Sequence, residues 1–262
     1  MYSFSLIFFQ FLFYLSVGTI FFLPLVNSQL TGSAHSKLIA AISAILSLIA
    51  SLGLGMGRLD INVLSISTLA HSLALGLIWA RHTEKRTLEI YSYYLASIVF
   101  ALFFINSLTS MSGHKLFIVC STLILGLINY IMILGHYYLV VPKLTVKPLL
   151  IGIKLYWFLL LVKLIFIYPF HEMRKFWIDF FELLFANGEY SGASVDISEL
   201  SLIFFQQLSC YIANPIMSYF SYRLCLMRST QSATGIFYVM VFFVLVSEML
   251  SLYFLMTRGL RF

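Results

Sequence analysis

Apolar runs of about 18 to 26 residues recur along the whole length of this 262-residue chain, and no other feature restricts its fold as strongly. At 1.5 Å per helical residue, each run covers the roughly 30 Å of a hydrocarbon core. Lipid offers no partner to an unpaired backbone group, so the runs are expected as helices, being too long and too uniformly apolar for barrel strands. Eight spans are predicted, at about 4–26, 36–55, 60–80, 88–110, 116–140, 148–169, 199–223 and 232–257. The composition agrees: 61% of residues are hydrophobic and 10% charged, against roughly 45–50% and 25% in soluble domains. The expected fold class is an all-α integral membrane protein, with residues 1–262 forming a single transmembrane helical bundle and no visible domain boundary or repeat. The first run ends in "PLVNSQ", which resembles a cleavage site. It has no basic n-region, and its apolar stretch exceeds the usual 7–15 residues, so it reads as a retained helix.

The net charge of +6 does not point to nucleic acid, because the basic residues stand singly at helix ends. Their distribution bears on orientation instead. The loops after spans one, three, five and seven hold Lys37, Arg81, Lys85, Arg86, Lys143, Lys147, Arg223 and Arg228; the opposite side holds Arg58, Lys115, Arg174, Lys175, Arg258 and Arg261. By the positive-inside rule both termini are expected outside, in a bacterial cytoplasmic membrane. The long loop between spans six and seven carries Phe170, Met173, Phe176, Trp177, Phe180, Phe181 and Leu184 at spacings of three and four, with charges between them. That pattern predicts an amphipathic helix over about 170–186, lying in the membrane interface as a brace, a lid or a docking face. Cys120, Cys210 and Cys225 fall in or beside apolar spans, far from any CxxC spacing, and read as packing residues. The glycines of "GLGMGRLD" end a span at a turn; with no strand before them they make no nucleotide fingerprint.

Titratable groups inside a membrane helix cost free energy, so each is a functional candidate. Four stand out: His71, His136, Lys163 and Glu248. His71 and His136 lie roughly 15 and 10 Å from the same end of two spans that run in the same direction. Two imidazoles at similar depth are what a b-type haem requires, and the same groups, with neighbouring Tyr137, would serve a quinone; ordinary interhelical hydrogen bonding is the bland alternative. No HxxxH or HExxH pair supports zinc. Glu248, in "VLVSEMLSLYF", is too deep to reach water, and Lys163, in "LLLVKLIFIYP", lies within about one turn of the same depth. A buried Lys163–Glu248 contact is expected, the alternative being a lysine stem that follows its helix to the interface. Asn214-Pro215 is expected to interrupt span seven, and Asn129 and Asn106 to bond across helices.

Near "SLGLGMGRLD" and "VLVSEML" the chain is similar to the membrane anchors of molybdenum-containing reductases, which also carry about eight spans with a late glutamate. It lacks a histidine before the glycines and an arginine after Glu248, so no residue role is carried over. Three functions fit the residues. One is a membrane subunit of a redox complex holding a quinone or b-type haem at His71, His136 and Tyr137. Another is a non-catalytic scaffold within a larger assembly of membrane subunits. The last is a small transporter or channel working at Lys163 and Glu248. With no soluble module, a stand-alone enzyme is not expected.

Overall fold

The computed structural model describes residues 4–26, 33–56, 63–81, 87–108, 115–141, 144–167, 177, 178, 181 and 197–259. Among these residues there is no strand, and eight helices account for nearly everything. They are α1 (Phe4–Phe21, closed by a 3-10 turn at Leu23–Leu25), α2 (Ser33–Met56), α3 (Val63–Arg81), α4 (Thr87–Leu108), α5 (Lys115–Val140), α6, α7 and α8 (Thr230–Arg258). α6 is helical over Lys147–Val162 and continues as a π-helix over Lys163–Ile167; α7 runs Ile197–Gln207, passes through a π-helical stretch at Leu208–Ala213 and resumes over Asn214–Leu226.

Among the described residues, five helical segments are long and apolar enough to cross a membrane: Phe4–Leu25, Ser33–Leu54, Lys115–Val140, Lys147–Ile165 and Thr230–Thr257. The sequence predicts eight. α7 carries Glu199, Gln206, Gln207 and Asn214, which lower its hydropathy, and α4 offers a shorter apolar stretch, Ile90–Phe104. The amphipathic helix expected over 170–186 lies outside the described residues, apart from Trp177, Ile178 and Phe181, which are helical. The Trp177 ring lies 5.9 Å from Phe204 on α7.

α1 and α5 form the centre. Both are largely buried, α1 on all sides between Phe13 and Ile20, as suits a helix with no polar face. α1 packs on α2 and α5, α2 on α3, α3 on α4; on the other side α5 packs on α8 and α6, and α7 on α8. At the central crossing Gly18 faces Gly126 so closely that a Cβ on either glycine would strike the other helix's backbone. Small residues permit such approach where lipid gives no hydrophobic drive to pack helices together. α2 uses the same device along a face: Ser36, Ala40, Ser43, Ser47 and Ala50 are buried, while Leu38, Ile45, Leu48, Ile49 and Leu52 point outward. Large apolar side chains are exposed on every helix, far more than a water-facing surface carries.

Cross-helix contacts show that the chain threads up and down. His35 at the start of α2 lies 5.1 Å from the Tyr137 ring at the end of α5, and the Tyr94 hydroxyl near the start of α4 donates to the Phe21 carbonyl at the end of α1 (2.7 Å). The α5–α6 and α7–α8 turns share a cleft of about 740 Å³ bordered by Lys147 and Arg228. The ends of α1, α3, α5 and α7 and the starts of α2, α4, α6 and α8 therefore gather at one end.

Candidate functional site

Lys163 opens the π-helical turn of α6, where the backbone makes a wider circuit than in an α-helix; such turns occur frequently at functional sites. From there its Nζ reaches across the bundle to α8 and donates to both carboxylate oxygens of Glu248, at 2.8 Å each. Both residues are buried, at 0% and 3% exposure. The ammonium also lies 4.9 Å from the centroid of the Phe117 ring on α5, a cation–π distance. The lysine thus does not follow its own helix out to an interface.

One turn along α8 the Ser251 hydroxyl accepts from Gln206 Nε2 (2.8 Å), and Gln206 Oε1 accepts from Gln207 Nε2 (2.7 Å). These glutamines precede the π-helical stretch of α7, whose cause is Pro215. Proline has no N–H and its ring crowds the carbonyl four residues back, so the helix widens and the Asn214 N–H bonds five residues back, to Ser209 O. Span seven is widened at this point, not broken as the sequence implied. Buried within the same stretch, the Ser209 hydroxyl and both Asn214 side-chain atoms have no hydrogen-bond partner among the described residues.

Beside Glu248 lies a small, largely apolar cavity, about 20 Å³, bordered by Phe11 and Tyr14 of α1, by Phe117, Ser121 and Thr122 of α5 and by Leu252 of α8. The hydroxyls of Tyr14, Ser121 and Thr122 are buried and have no hydrogen-bond partner among the described residues. Glu248 therefore shares a cavity wall with Tyr14, Ser121 and Thr122, in a region otherwise made of Phe, Ile and Leu.

The histidine site expected from the sequence is not assembled. His71 is fully buried, with Nδ1 donating to the Ser97 carbonyl of α4 (2.8 Å), Nε2 3.4 Å from Ser16 Oγ of α1, and the ring edge-on to Phe13. A carbonyl only accepts, so Nδ1 carries the hydrogen. Ser16 in turn donates to Ser43 O on α2 (2.7 Å), and Ser47 to Thr68 O on α3 (3.0 Å), so His71 belongs to a stitch joining α1 to α4. His136 is exposed on α5, its Nδ1 3.1 Å from the Tyr238 hydroxyl of α8. The two rings share no partner, and neither lines either cavity described above. These residues do not fit a bis-histidine haem. Tyr137 turns to a third histidine, His35, which is 1% exposed and also meets the edge of the Tyr130 ring.

Sequence reasoning passed over His35, Tyr14, Ser121 and Thr122. A hydroxyl in an apolar run is ordinary, and only its failure to find a partner marks it. One signal was present: Gln10 and Tyr14 are four apart on α1 and share a face, and Gln10 is polar and buried at 2% exposure. Asn129 does bond across helices, its Nδ2 donating to Thr19 Oγ1 at 2.9 Å; the Asn106 side chain lies outside the described residues. Comparisons with protein-family models, curated proteins and solved structures gave no match.

Proposed function

We propose that this chain is a multi-pass integral membrane protein of eight spans, with both termini outside in a bacterial cytoplasmic membrane, and that it moves protons through the Lys163–Glu248 pair. The observation that carries this reading is the pair itself: two opposite charges at 2.8 Å, both removed from solvent, at the meeting of α6 and α8. A buried ion pair adds little stability over a well-packed apolar pair, because desolvation offsets the attraction, so stability alone is a poor reason to keep one. Ionisable residues inside membrane helices mark proton relays and ion paths. The proton is favoured over larger cargo because the space beside Glu248 measures about 20 Å³, too small for a solute.

The pair supports a cycle that balances. A proton adds to the Glu248 carboxylate from the α1–α5 side. Lys163, its counter-charge lost, releases a proton from Nζ to water on the side away from the one that supplied Glu248. The new O–H of Glu248 then passes its proton across the 2.8 Å gap to the neutral amine, restoring carboxylate and ammonium. One proton has crossed, and the pair returns to its starting charge. The test is proton uptake by liposomes that contain the purified protein, a trapped pH dye and a potassium diffusion potential. Uptake above protein-free liposomes, lost in Glu248→Gln, is expected. Wild-type uptake no faster than protein-free liposomes, or undiminished in Glu248→Gln, would overturn the reading.

A further inference from the structure

The cleft shared by the α5–α6 and α7–α8 turns measures about 740 Å³, within the roughly 300–1,000 Å³ of small-molecule sites. Two cations border it from different turns, Lys147 at the start of α6 and Arg228 between α7 and α8. Both are exposed, and neither side chain has a hydrogen-bond or ion-pair partner among the described residues. The chain on either side offers no carboxylate, for the sequence holds no acid between Glu89 and Glu172 or between Glu199 and Glu248. Arg228 also occupies a costly position. The Arg228 N–H bonds to Cys225 O (3.1 Å) and the Ser229 N–H to Leu224 O (3.0 Å), the Schellman pattern, whose left-handed residue is usually glycine. Here it is Arg228, at φ 58°, and among the described residues no other non-glycine has a positive φ. Strain of this kind persists where the side chain serves a purpose. Beside the two cations the cleft is lined by Leu144, Leu150 and Leu226. α6 and α8 both begin here without a side-chain cap, so their first N–H groups add positive potential.

We infer that this cleft is a phosphate-binding site for an anionic phospholipid, with Lys147 and Arg228 as the groups that hold the phosphate. The lipid as source rests on the membrane-spanning reading above; the anion site does not, and neither rests on proton transport. The ends of α5 and α7 and the starts of α6 and α8 meet at the cleft, which sets it at headgroup level, where basic pockets between helices take anionic headgroups. Charge and apolar lining are then both used: the cations meet the phosphate, and the leucines meet the glycerol and the first carbons of the chains. A free phosphate leaves the leucines unused, and a zwitterionic lipid brings a third cation toward the two already there. The bound lipid bridges the starts of α6 and α8, the helices that carry Lys163 and Glu248.

Native mass spectrometry of the full-length protein, stripped of lipid in mild detergent, counts what binds. The protein is titrated separately with phosphatidylglycerol, with phosphatidylcholine and with water-soluble glycerol 3-phosphate. Phosphatidylglycerol is expected to bind one to one and several-fold more tightly than the other two. Lys147→Gln and Arg228→Gly should each weaken it about fivefold, the effect of one basic residue near a charged surface. Lys37→Gln removes the same charge at the same end of the molecule but away from the cleft, and should leave the affinity unchanged. Arg228→Gly also relieves the left-handed turn, so the lipid-free variant should melt no lower than the wild type, and its lost affinity is then not a loss of fold. Phosphatidylglycerol held no better than phosphatidylcholine, or weakened as much by Lys37→Gln as by the two cleft variants, would overturn the site. Glycerol 3-phosphate held as tightly as phosphatidylglycerol, and weakened by the same two variants, would overturn the lipid as source and leave a site for soluble phosphate esters. Proton uptake is read separately in liposomes, so failure of the lipid site and failure of the transport reading are different results.

Discussion

Lys163 and Glu248 satisfy each other so completely that neither can be removed alone. Lys163→Met leaves a buried carboxylate without a counter-charge and is expected to cost about 3–5 kcal/mol, whereas Lys163→Met with Glu248→Met removes both charges and should recover most of that loss. Unfolding of the three proteins in one detergent measures the difference; a double variant no more stable than the single would show that the pair is not the dominant interaction. Proton uptake should be absent from both variants, which separates what holds the fold from what it does. The histidines divide in the same way. His71→Phe strips a buried carbonyl of its donor and is expected to cost about 1–3 kcal/mol. His136→Phe removes one exposed contact and should stay within about 0.5 kcal/mol. Equal melting shifts for the two would contradict the stitch through Ser97 and Ser16.

At the scale of the element, the α1–α5 crossing sets the bundle. A side chain at Gly18 or Gly126 meets backbone, which cannot move aside as a side chain can, so Gly126→Val is expected to destabilise by more than about 4 kcal/mol. Gly76→Ala and Gly235→Ala meet nothing within 4 Å and should gain up to about 1 kcal/mol from helix propensity, giving thermal melts in opposite directions from one kind of change. α7 offers a different test. Pro215→Ala restores a donor and lets the Leu208–Ala213 stretch relax toward α-geometry, turning Gln206 away from Ser251. Proton uptake is expected to fall while the melting temperature does not. A fall in both would mean that the widened turn serves packing alone.

For the molecule as a whole, up-and-down threading puts the ends of the odd-numbered helices at one end and the start of α1 and the end of α8 at the other. Because Cys120, Cys210 and Cys225 are buried, a single added cysteine can be read against a low background. Thr145→Cys and Met227→Cys, both at exposed positions, should react with a membrane-impermeant maleimide from one side only, and Gly259→Cys from the other. Labelling of Met227→Cys and Gly259→Cys from the same side would refute the threading.

Helix placement was legible from the chain alone, because a run of apolar residues long enough to cross a bilayer can satisfy its backbone only as a helix. The predicted spans at 36–55 and 116–140 meet Ser33–Met56 and Lys115–Val140 within a few residues. The depth of Lys163 and Glu248 was also legible, since rise per residue converts position into height. Rotation about the helix axis was not. Counting residues sets His71 and His136 at similar depth, yet packing turned one to Ser97 and the other to Tyr238, and depth carries no information about which face a side chain occupies. The Gly18–Gly126 crossing and the cavity beside Glu248 depend on which helices are neighbours. In apolar runs of similar composition, that choice is made by shape complementarity over the whole bundle, and it exists only once the helices have packed.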